Sequence, residues 1–283
     1  MDEVVYLNGK MIEPGQAKIS VFDHGFLYGF GLFETMRAYA GRLFLLEQHL
    51  NRLTKSAELL GLPIDTKELG EAARDTLNAN GLREARVRIT VSAGEAKVPP
   101  ETGRKCKPTL MITAEYYQPH PEETYRKGFH ATISTIRRNS QSPLSRLKSA
   151  NYLESLFSKE QARSRGVQEA ILLNEKGFLA EASMSNIFLA SDGTLITPDD
   201  DSGILPGITR DTVMELAKEM GIKVCTERIS LDELFGADEV FLTNSLIEVM
   251  PLTRIEDKTL SRGQAGEITG RILAAYRGLL PGN

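Results

Sequence analysis

Cysteine and histidine are scarce in this sequence. Its 283 residues include two cysteines, Cys106 and Cys225, which lie far apart and form no CxxC pair. Such a pattern indicates a reduced compartment, so we expect a cytoplasmic protein. The four histidines stand singly along the chain, without the spacing that metal ligands need. The sequence therefore predicts no metal site.

Long apolar runs and an excess of basic residues are absent as well. No apolar run approaches the roughly 18 residues that span a bilayer, so the sequence predicts no membrane segment. The net charge of −4 argues against a nucleic-acid partner, because such proteins usually carry a basic excess. The opening MDEVVYLNGK is acidic and does not read as a signal peptide. The composition, 41% hydrophobic and 25% charged, is that of a globular protein with a real core.

Local patterns predict strands and helices that alternate without a regular βαβ order. Asn8-Gly9 and Ala40-Gly41 separate short apolar runs and predict two hairpins. Residues 85–92 alternate between apolar and polar side chains, which predicts a half-buried strand. Helices are predicted over the following ranges: 46–60, 66–80, 149–165, 209–221 and 262–276.

The interleaved elements predict an α+β protein with two domains. The segment 116–128 is polar and contains two prolines, which makes it the best candidate for a linker. We place the first domain at 1–118, the linker at 119–125 and a larger second domain, carrying Lys148, at 126–283.

Lys148, in SRLKSANYLES, is a candidate nucleophile. Arg137, Arg138 and Arg146 precede it closely, and a helix is predicted to begin just after it. Nearby cations and a helix N-terminus both disfavour a protonated amine, and a lysine with a lowered pKa can act as nucleophile and base. By charge pattern alone, a solvated basic edge explains the same residues.

The stretch GILPGITRD, residues 203–211, predicts an anion site. Its glycines permit tight turns, and the amides of Ile208 and Thr209 would point outward from the positive end of a helix, as in phosphate sites. The alternative is an ordinary loop-to-helix junction capped by Thr209.

Two further side chains fit an anionic, aromatic ligand. Glu181 stands among small residues and could pair with a cationic ring nitrogen, or could belong to a turn. Arg52 lies on a helix beside a leucine stripe and could bind a phosphate through two N–H groups, or could extend along the surface to water.

Six motifs in this order are shared with one family: DHGFLYGFGLFETMR, HLNRL, RLKSANYL, EASMSNIF, GILPGITRD and TNSLIEVMP. With them the chain resembles the class IV aminotransferases, the fold-type-IV pyridoxal phosphate enzymes. The resemblance covers nearly the whole chain and implies a two-domain fold, pyridoxal 5′-phosphate as cofactor, and a homodimer that acts on a small amino substrate.

The resemblance also implies roles for individual residues. Lys148 resembles the lysine that holds the cofactor as a Schiff base and then transfers the proton, and Glu181 resembles the partner of the ring nitrogen. Tyr152 resembles a tyrosine near the ring hydroxyl, and Leu205 the residue that packs on the ring. The implied phosphate contacts are Arg52, Ile208, Thr209 and Thr243.

Within this family the motifs favour one reaction. The segment SAGEAKVPP lacks the Arg-x-His pair of D-amino acid aminotransferases, and FETMR replaces the Phe-Glu-Gly of branched-chain enzymes. FETMR, STIRRN and TNSLIEVMP are most similar to aminodeoxychorismate lyases, which convert 4-amino-4-deoxychorismate into 4-aminobenzoate and pyruvate for folate synthesis. The alternatives are an aminotransferase for branched-chain or other L- or D-amino acids with 2-oxoglutarate, and a cofactor-binding protein without turnover.

Arg86 and Arg88 share one face of their strand and could bind a substrate carboxylate, although a solvated strand face explains them equally well. The predicted substrate contacts are Tyr28, Arg86, Arg88, Asn244 and Ser245.

Overall fold

The computed structural model describes residues 3–95 and 107–282, which fold into two compact units. Unit 1 consists of Met1–Gln118 together with Leu147–Asn151 and Gly282, and unit 2 of Pro119–Arg146 and Tyr152–Pro281. Each unit has its own sheet and helices, which confirms the predicted α+β class. In the described parts of the chain, no helix has both the length and the apolar character needed to cross a membrane.

Unit 1 is built on a six-stranded antiparallel sheet in the order β2-β1-β6-β5-β3-β4. Its elements are β1 Val5–Leu7, β2 Lys10–Ile12, α1 His24–Tyr28, β3 Gly31–Tyr39, β4 Arg42–Leu43, α2 Leu46–Leu60, α3 Thr66–Ala79, β5 Ala85–Ser92 and β6 Thr109–Tyr116. Both predicted hairpins are confirmed: Asn8 and Gly9 have φ of 49° and 88°, and Ala40 and Gly41 have 49° and 80°. These positive angles are those that a type I′ turn requires.

The core of unit 1 lies between the sheet and α2 and α3. Strand β5 buries alternate residues, with Val87 and Ile89 facing the core and Arg86 and Arg88 on the other, more exposed face. Helix α3 begins at Thr66 and is capped by Asp65, whose carboxylate accepts hydrogen bonds from the amides of Lys67 and Glu68. The predicted bounds of these helices and of β5 are therefore nearly correct.

Unit 2 is built on a nine-stranded mixed sheet in the order β12-β11-β10-β13-β14-β7-β8-β9, with β15 beside β14. Its elements are α4 Glu122–Lys127, β7 Phe129–Arg138, α5 Leu153–Ser164, β8 Glu169–Asn174, β9 Leu179–Ala182, β10 Asn186–Ser191, β11 Thr194–Pro198, α6 Ile208–Glu219, β12 Lys223–Glu227, α7 Leu231–Gly236, β13 Glu239–Asn244, β14 Glu248–Ile255, β15 Lys258–Thr259 and α8 Glu267–Gly278. The pairs β11/β12, β14/β7 and β7/β8 are parallel, and the others are antiparallel.

The segment 119–125, which was predicted as a linker, groups with unit 2. Residues from Glu122 onward form α4, and the Tyr125 side chain is buried in the core of unit 2. Lys148 groups with unit 1 and not, as expected, with the larger unit.

Two predicted helix starts are wrong. Helix α5 begins at Leu153 and not at Ser149, because Ser149 forms an antiparallel bridge with Leu32 of β3. Helix α8 begins at Glu267 and not at Arg262, whose φ of 55° is incompatible with a helix.

Candidate active site

Lys148 lies in an extended segment that continues the sheet of unit 1. The Phe33 amide donates to the Lys148 carbonyl at 2.9 Å, and the Ala150 amide donates to the Gly31 carbonyl at 2.9 Å. These bonds fix the backbone at the Lys148 carbonyl and in the two residues that follow it. Its Nζ lies 4.7 Å from the centre of the Phe33 ring, within the range of a cation–π contact.

The expected neighbourhood of Lys148 needs correction. The helix that was expected to begin directly after it begins only at Leu153. The arginines that precede it have partners of their own in unit 2: Arg138 pairs with Glu181 at 2.8 Å and Arg146 with Asp201 at 2.9 Å. Arg137 donates to the Ser134 carbonyl at 3.0 Å. Each of the three arginines is thus bound to an acceptor within unit 2.

Arg52 extends from α2 to a carboxylate that the sequence reasoning missed. Its Nε and Nη2 donate to Oε1 and Oε2 of Glu34 at 2.8 and 2.7 Å, and His49 Nδ1 lies 2.7 Å from Oε2. Glu34 is only 1% exposed. Its signal was its position: it alternates with Leu32 and Met36 on the core-facing side of β3, where an acidic residue needs a partner.

Charge pairing sets the ionisation of this group. Burial alone would raise the pKa of the Glu34 carboxyl, but Arg52 and His49 together hold that pKa at about 2. Burial lowers the pKa of the His49 imidazole, and the opposing effect of Glu34 does not restore it. Arg52 is therefore held by an ionised carboxylate and not extended loosely along the surface.

Arg86 and Arg88 differ in their surroundings although they share one strand face. Arg86 pairs across the sheet with Glu115 at 3.1 Å, and both side chains are exposed. The guanidinium carbon of Arg88 lies 3.8 Å from the centre of the Phe33 ring, and its Nε donates to Thr90 at 3.2 Å. Arg88 and Lys148 thus contact the same Phe33 ring, whereas Arg86 is paired with Glu115.

Glu181 is buried in β9 with both carboxylate oxygens occupied. Arg138 Nη2 lies 2.8 Å from Oε1, and the Leu205 amide donates to Oε2 at 3.1 Å. The structure thus brings Glu181 and the backbone of Leu205 together. Arg138 is a residue of this site that sequence reasoning assigned elsewhere; its ion pair keeps a buried carboxylate charged.

Tyr152 directly precedes α5 and lies near the same carboxylate. Burial, followed by the negative charges of Glu181 and Glu169, raises the pKa of its phenol to about 12. The phenol is therefore protonated at neutral pH and able to donate a hydrogen bond.

The N-terminus of α6 has the form of an anion site. The helix begins at Ile208 with Gly207 as its N-cap and with no side chain capping it, so the alternative of a Thr209 cap is wrong. A Cβ on Gly207 would lie 1.8 Å from Asn186 Oδ1, so any other residue there would have to displace the Asn186 side chain. Asn186 donates to the Leu205 carbonyl at 2.9 Å and pairs with Thr243 across β10 and β13.

Thr243 carries a buried hydroxyl that is available to a ligand. The residue is 1% exposed, and its Oγ1 has no hydrogen-bond partner among the described residues. An unpaired buried hydroxyl is unfavourable unless something else binds it. A phosphate oxygen is such a partner, so this observation fits the expected cofactor.

Asn244 is committed to the turn that follows β13. Its amide group donates to Met184 and Ser185 at 3.1 and 2.9 Å, and its oxygen accepts from Leu246 and Ile247 at 2.8 and 2.9 Å. These four bonds give Asn244 a structural role in this turn. Tyr28 packs edge-to-face on His24, at 5.2 Å between ring centres.

Comparison with known proteins identifies a family and two kinds of relative. The family described as amino-transferase class IV matches residues 31–255. A Methanocaldococcus jannaschii protein, named provisionally as a branched-chain-amino-acid aminotransferase, is 41% identical over 96% of this chain and 95% of its own. The aminodeoxychorismate lyase of Bacillus subtilis is 35% identical over 97% of this chain and 94% of its own.

Solved structures of branched-chain amino acid aminotransferases have a similar fold. The Escherichia coli enzyme superposes with a TM-score of 0.94 at 32% identity, covering 100% of this chain and 96% of that one. The T.th. enzyme with pyridoxamine 5′-phosphate superposes with a TM-score of 0.92 at 31% identity, covering 99% of this chain and 96% of that one.

Proposed function

The chain belongs to the class IV aminotransferases and is a pyridoxal 5′-phosphate enzyme of fold type IV, and from this premise we propose that it is an aminotransferase for branched-chain amino acids. The single observation that carries the proposal is the 41% identity to the Methanocaldococcus jannaschii protein over nearly the full length of both chains. Although the sequence motifs favoured the lyase, similarity along the whole chain supports the aminotransferase.

We assign the cofactor contacts residue by residue. In unit 1, Lys148 holds the aldehyde carbon through its amine, and Arg52 binds the phosphate. In unit 2, Glu181 holds the ring nitrogen protonated and the Tyr152 phenol donates to the ring oxygen. The remaining contacts in unit 2 are Leu205 on the ring, and Ile208, Thr209 and Thr243 on the phosphate.

The residues of each unit have the chemistry that these roles need. Thr243 offers a buried hydroxyl, and the start of α6 offers amides that no side chain caps. Glu181 is kept ionised by Arg138, and an anionic partner favours a protonated ring nitrogen. When bound, the cofactor supplies an electron sink for the carbon beside the substrate nitrogen. Lys148 moves the proton at that carbon.

We assign recognition of the substrate carboxylate to Arg88. Its guanidinium and the Lys148 amine lie against the same Phe33 ring, at 3.8 and 4.7 Å from the ring centre. The ring itself offers an apolar surface for an aliphatic side chain. Tyr28 and Ser245 stay predicted substrate contacts, whereas Arg86 is paired with Glu115 and is left out.

The lyase is the second candidate, because the Bacillus subtilis aminodeoxychorismate lyase is 35% identical over 97% of this chain. The two reactions differ in their need for an amino acceptor. An aminotransferase passes the substrate's amino group to the cofactor and then to an oxo acid. The lyase releases 4-aminobenzoate and pyruvate and leaves the cofactor unchanged.

One pair of assays separates the candidates. The purified yellow enzyme is mixed with L-leucine, L-valine or L-isoleucine without an oxo acid, and we expect its absorbance to change to that of the aminated cofactor. Addition of 2-oxoglutarate should restore the colour and yield glutamate. Release of 4-aminobenzoate from 4-amino-4-deoxychorismate without an oxo acid, and no amination by the three amino acids, would establish the lyase instead. If the protein is colourless and borohydride cannot link it to pyridoxal phosphate, both reactions are excluded and a protein without turnover remains.

We further propose that the protein is cytoplasmic, as its cysteine pattern indicates, and that it is a homodimer, as the family resemblance implies. Light scattering of the holoenzyme measures the mass directly. A mass of about one chain, 31.3 kDa, would contradict the dimer.

A further inference from the structure

We propose that Glu34 and His49 are positioning residues that hold the Arg52 guanidinium in the orientation in which it binds the cofactor phosphate. The inference rests on the proposed assignment of Arg52 to that phosphate and deepens it. All three side chains belong to unit 1, where the Arg52 guanidinium is fixed to the buried Glu34 carboxylate.

The three side chains meet because of two regular elements. His49 and Arg52 are three residues apart on α2 and therefore share one helix face. Glu34 faces the same helix from β3, since strand residues alternate between the two faces of a sheet. One carboxylate consequently receives both side chains.

The geometry fixes the plane of the guanidinium. Two of its nitrogens, Nε and Nη2, bind the two oxygens of Glu34 at 2.8 and 2.7 Å. A bidentate pair of this kind sets both the direction and the rotation of the group. The Arg52 side chain is 15% exposed and Glu34 1%, so the carboxylate anchors the arginine from the interior.

His49 fixes the carboxylate in turn. Its Nδ1 lies 2.7 Å from Oε2 of Glu34, and an ionised carboxylate only accepts hydrogen bonds, so Nδ1 carries the proton and donates. The imidazole is 2% exposed and packed in the interior. With His49 in place, Glu34 cannot rotate away from Arg52 without losing a buried hydrogen bond.

Support of Arg52 by Glu34 and His49 should have a measurable effect on phosphate affinity. A free arginine side chain loses rotamer entropy when a ligand immobilises it, and an arginine that is already fixed loses less. Glu34 also lowers the net charge that Arg52 presents, which acts in the opposite direction on phosphate binding. We expect the gain from a fixed orientation to outweigh this charge effect. Outer-shell partners orient metal ligands in a similar way, and their loss costs roughly 10- to 100-fold in affinity.

The test compares two ligands that differ only in the phosphate. Pyridoxal 5′-phosphate and pyridoxal are each titrated into the cofactor-free full-length protein, and the ratio of their dissociation constants is taken. A merely structural role would weaken both ligands equally and leave the ratio unchanged. For Glu34→Asp, which keeps the charge but withdraws the carboxylate, we expect the phosphate preference to fall about tenfold.

The histidine offers a rescue experiment. His49→Leu removes the hydrogen bond to Glu34 and should lower the phosphate preference. His49→Asn places an amide N–H near the position of Nδ1 and should restore it. The matched control is Glu47→Gln on the same helix, which removes one partner of the exposed pair with Arg74 and should change nothing.

Three outcomes distinguish the positioning role of Glu34 and His49 from the assignment of Arg52 to the phosphate. If Arg52→Met keeps the phosphate preference, then Arg52 does not bind the phosphate and the proposed assignment fails. If Arg52→Met loses it but Glu34→Asp and His49→Leu keep or increase it, the positioning role alone is overturned. Failure of both of these variants to fold would assign Glu34 and His49 to stability and overturn it as well.

Discussion

The Arg138 guanidinium and the Glu181 carboxylate form an ion pair in unit 2, with Nη2 2.8 Å from Oε1 and exposures of 14% and 9%. Arg138 also reaches Glu154 at 3.3 Å, and the Leu205 amide occupies the second oxygen of Glu181. Glu181 is therefore ionised and fixed in position by the protein itself. A carboxylate prepared in this way needs no rearrangement to receive a cationic ring nitrogen.

Arg138→Met should lower the free energy of unfolding of the cofactor-free protein by about 3 kcal/mol, because it leaves a buried carboxylate without its cation. Urea unfolding measures the change. The matched control is Arg146→Met, whose pair with Asp201 is exposed on both sides, and its effect should stay below about 1 kcal/mol. Equal effects of the two substitutions would show that burial of the Glu181 carboxylate does not increase the cost of losing its cation.

Lys148→Ala should reduce turnover by about a hundredfold to ten-thousandfold, because the proposed amine and proton acceptor are removed together. Borohydride should no longer link pyridoxal phosphate to the chain, which mass spectrometry detects, while circular dichroism stays unchanged. Lys127→Ala, which removes an exposed lysine of α4, is the control and should keep both properties. Turnover retained by pure Lys148→Ala protein would remove this lysine from the proposed reaction.

Thr243→Val should stabilise the cofactor-free protein by about 1 kcal/mol, because it removes a buried hydroxyl that has no partner among the described residues. The same substitution should weaken binding of pyridoxal 5′-phosphate severalfold and leave pyridoxal unaffected. Unfolding and ligand titrations measure the two effects. Thr197→Val is the control: its equally buried hydroxyl donates to the Ile187 carbonyl at 2.8 Å, so its loss should destabilise the protein by about 1 kcal/mol.

The stability of the cofactor-free protein should fall as the pH drops below about 6.5, in part because of His49. Burial lowers the pKa of its imidazole in the folded protein, Glu34 opposes this shift, and Arg52 and Lys148 add to it. Below pH 6.5 the unfolded chain therefore takes up a proton that the folded chain does not, which favours unfolding by at most about 1.4 kcal/mol per pH unit.

His49→Asn keeps the hydrogen bond to Glu34 but cannot titrate, so it should flatten this pH dependence. Urea unfolding at several values between about pH 5 and 8 gives the slope, and the difference between wild type and variant isolates His49 from all other groups. Parallel slopes in the two proteins would contradict the lowered pKa.

Much of the fold follows from local sequence. The turns at Asn8-Gly9 and Ala40-Gly41, the helix at Leu46–Leu60 and the alternating strand at Ala85–Ser92 all agree with prediction. Each depends on neighbours within a few residues, through preferred backbone angles or the period of apolar side chains. The order of six short motifs likewise identified the family and its cofactor without any coordinates.

The partners of individual side chains were decided only by the tertiary structure. Lys148 was predicted to lie just before a helix and near three arginines, yet Ser149 pairs with Leu32, far away in sequence, and the helix begins later. Arg138 is ten residues from Lys148 in sequence but binds Glu181, and Arg52 binds a carboxylate on β3. Charge attraction across distant segments depends on which strands and helices become neighbours, and no local pattern carries that information.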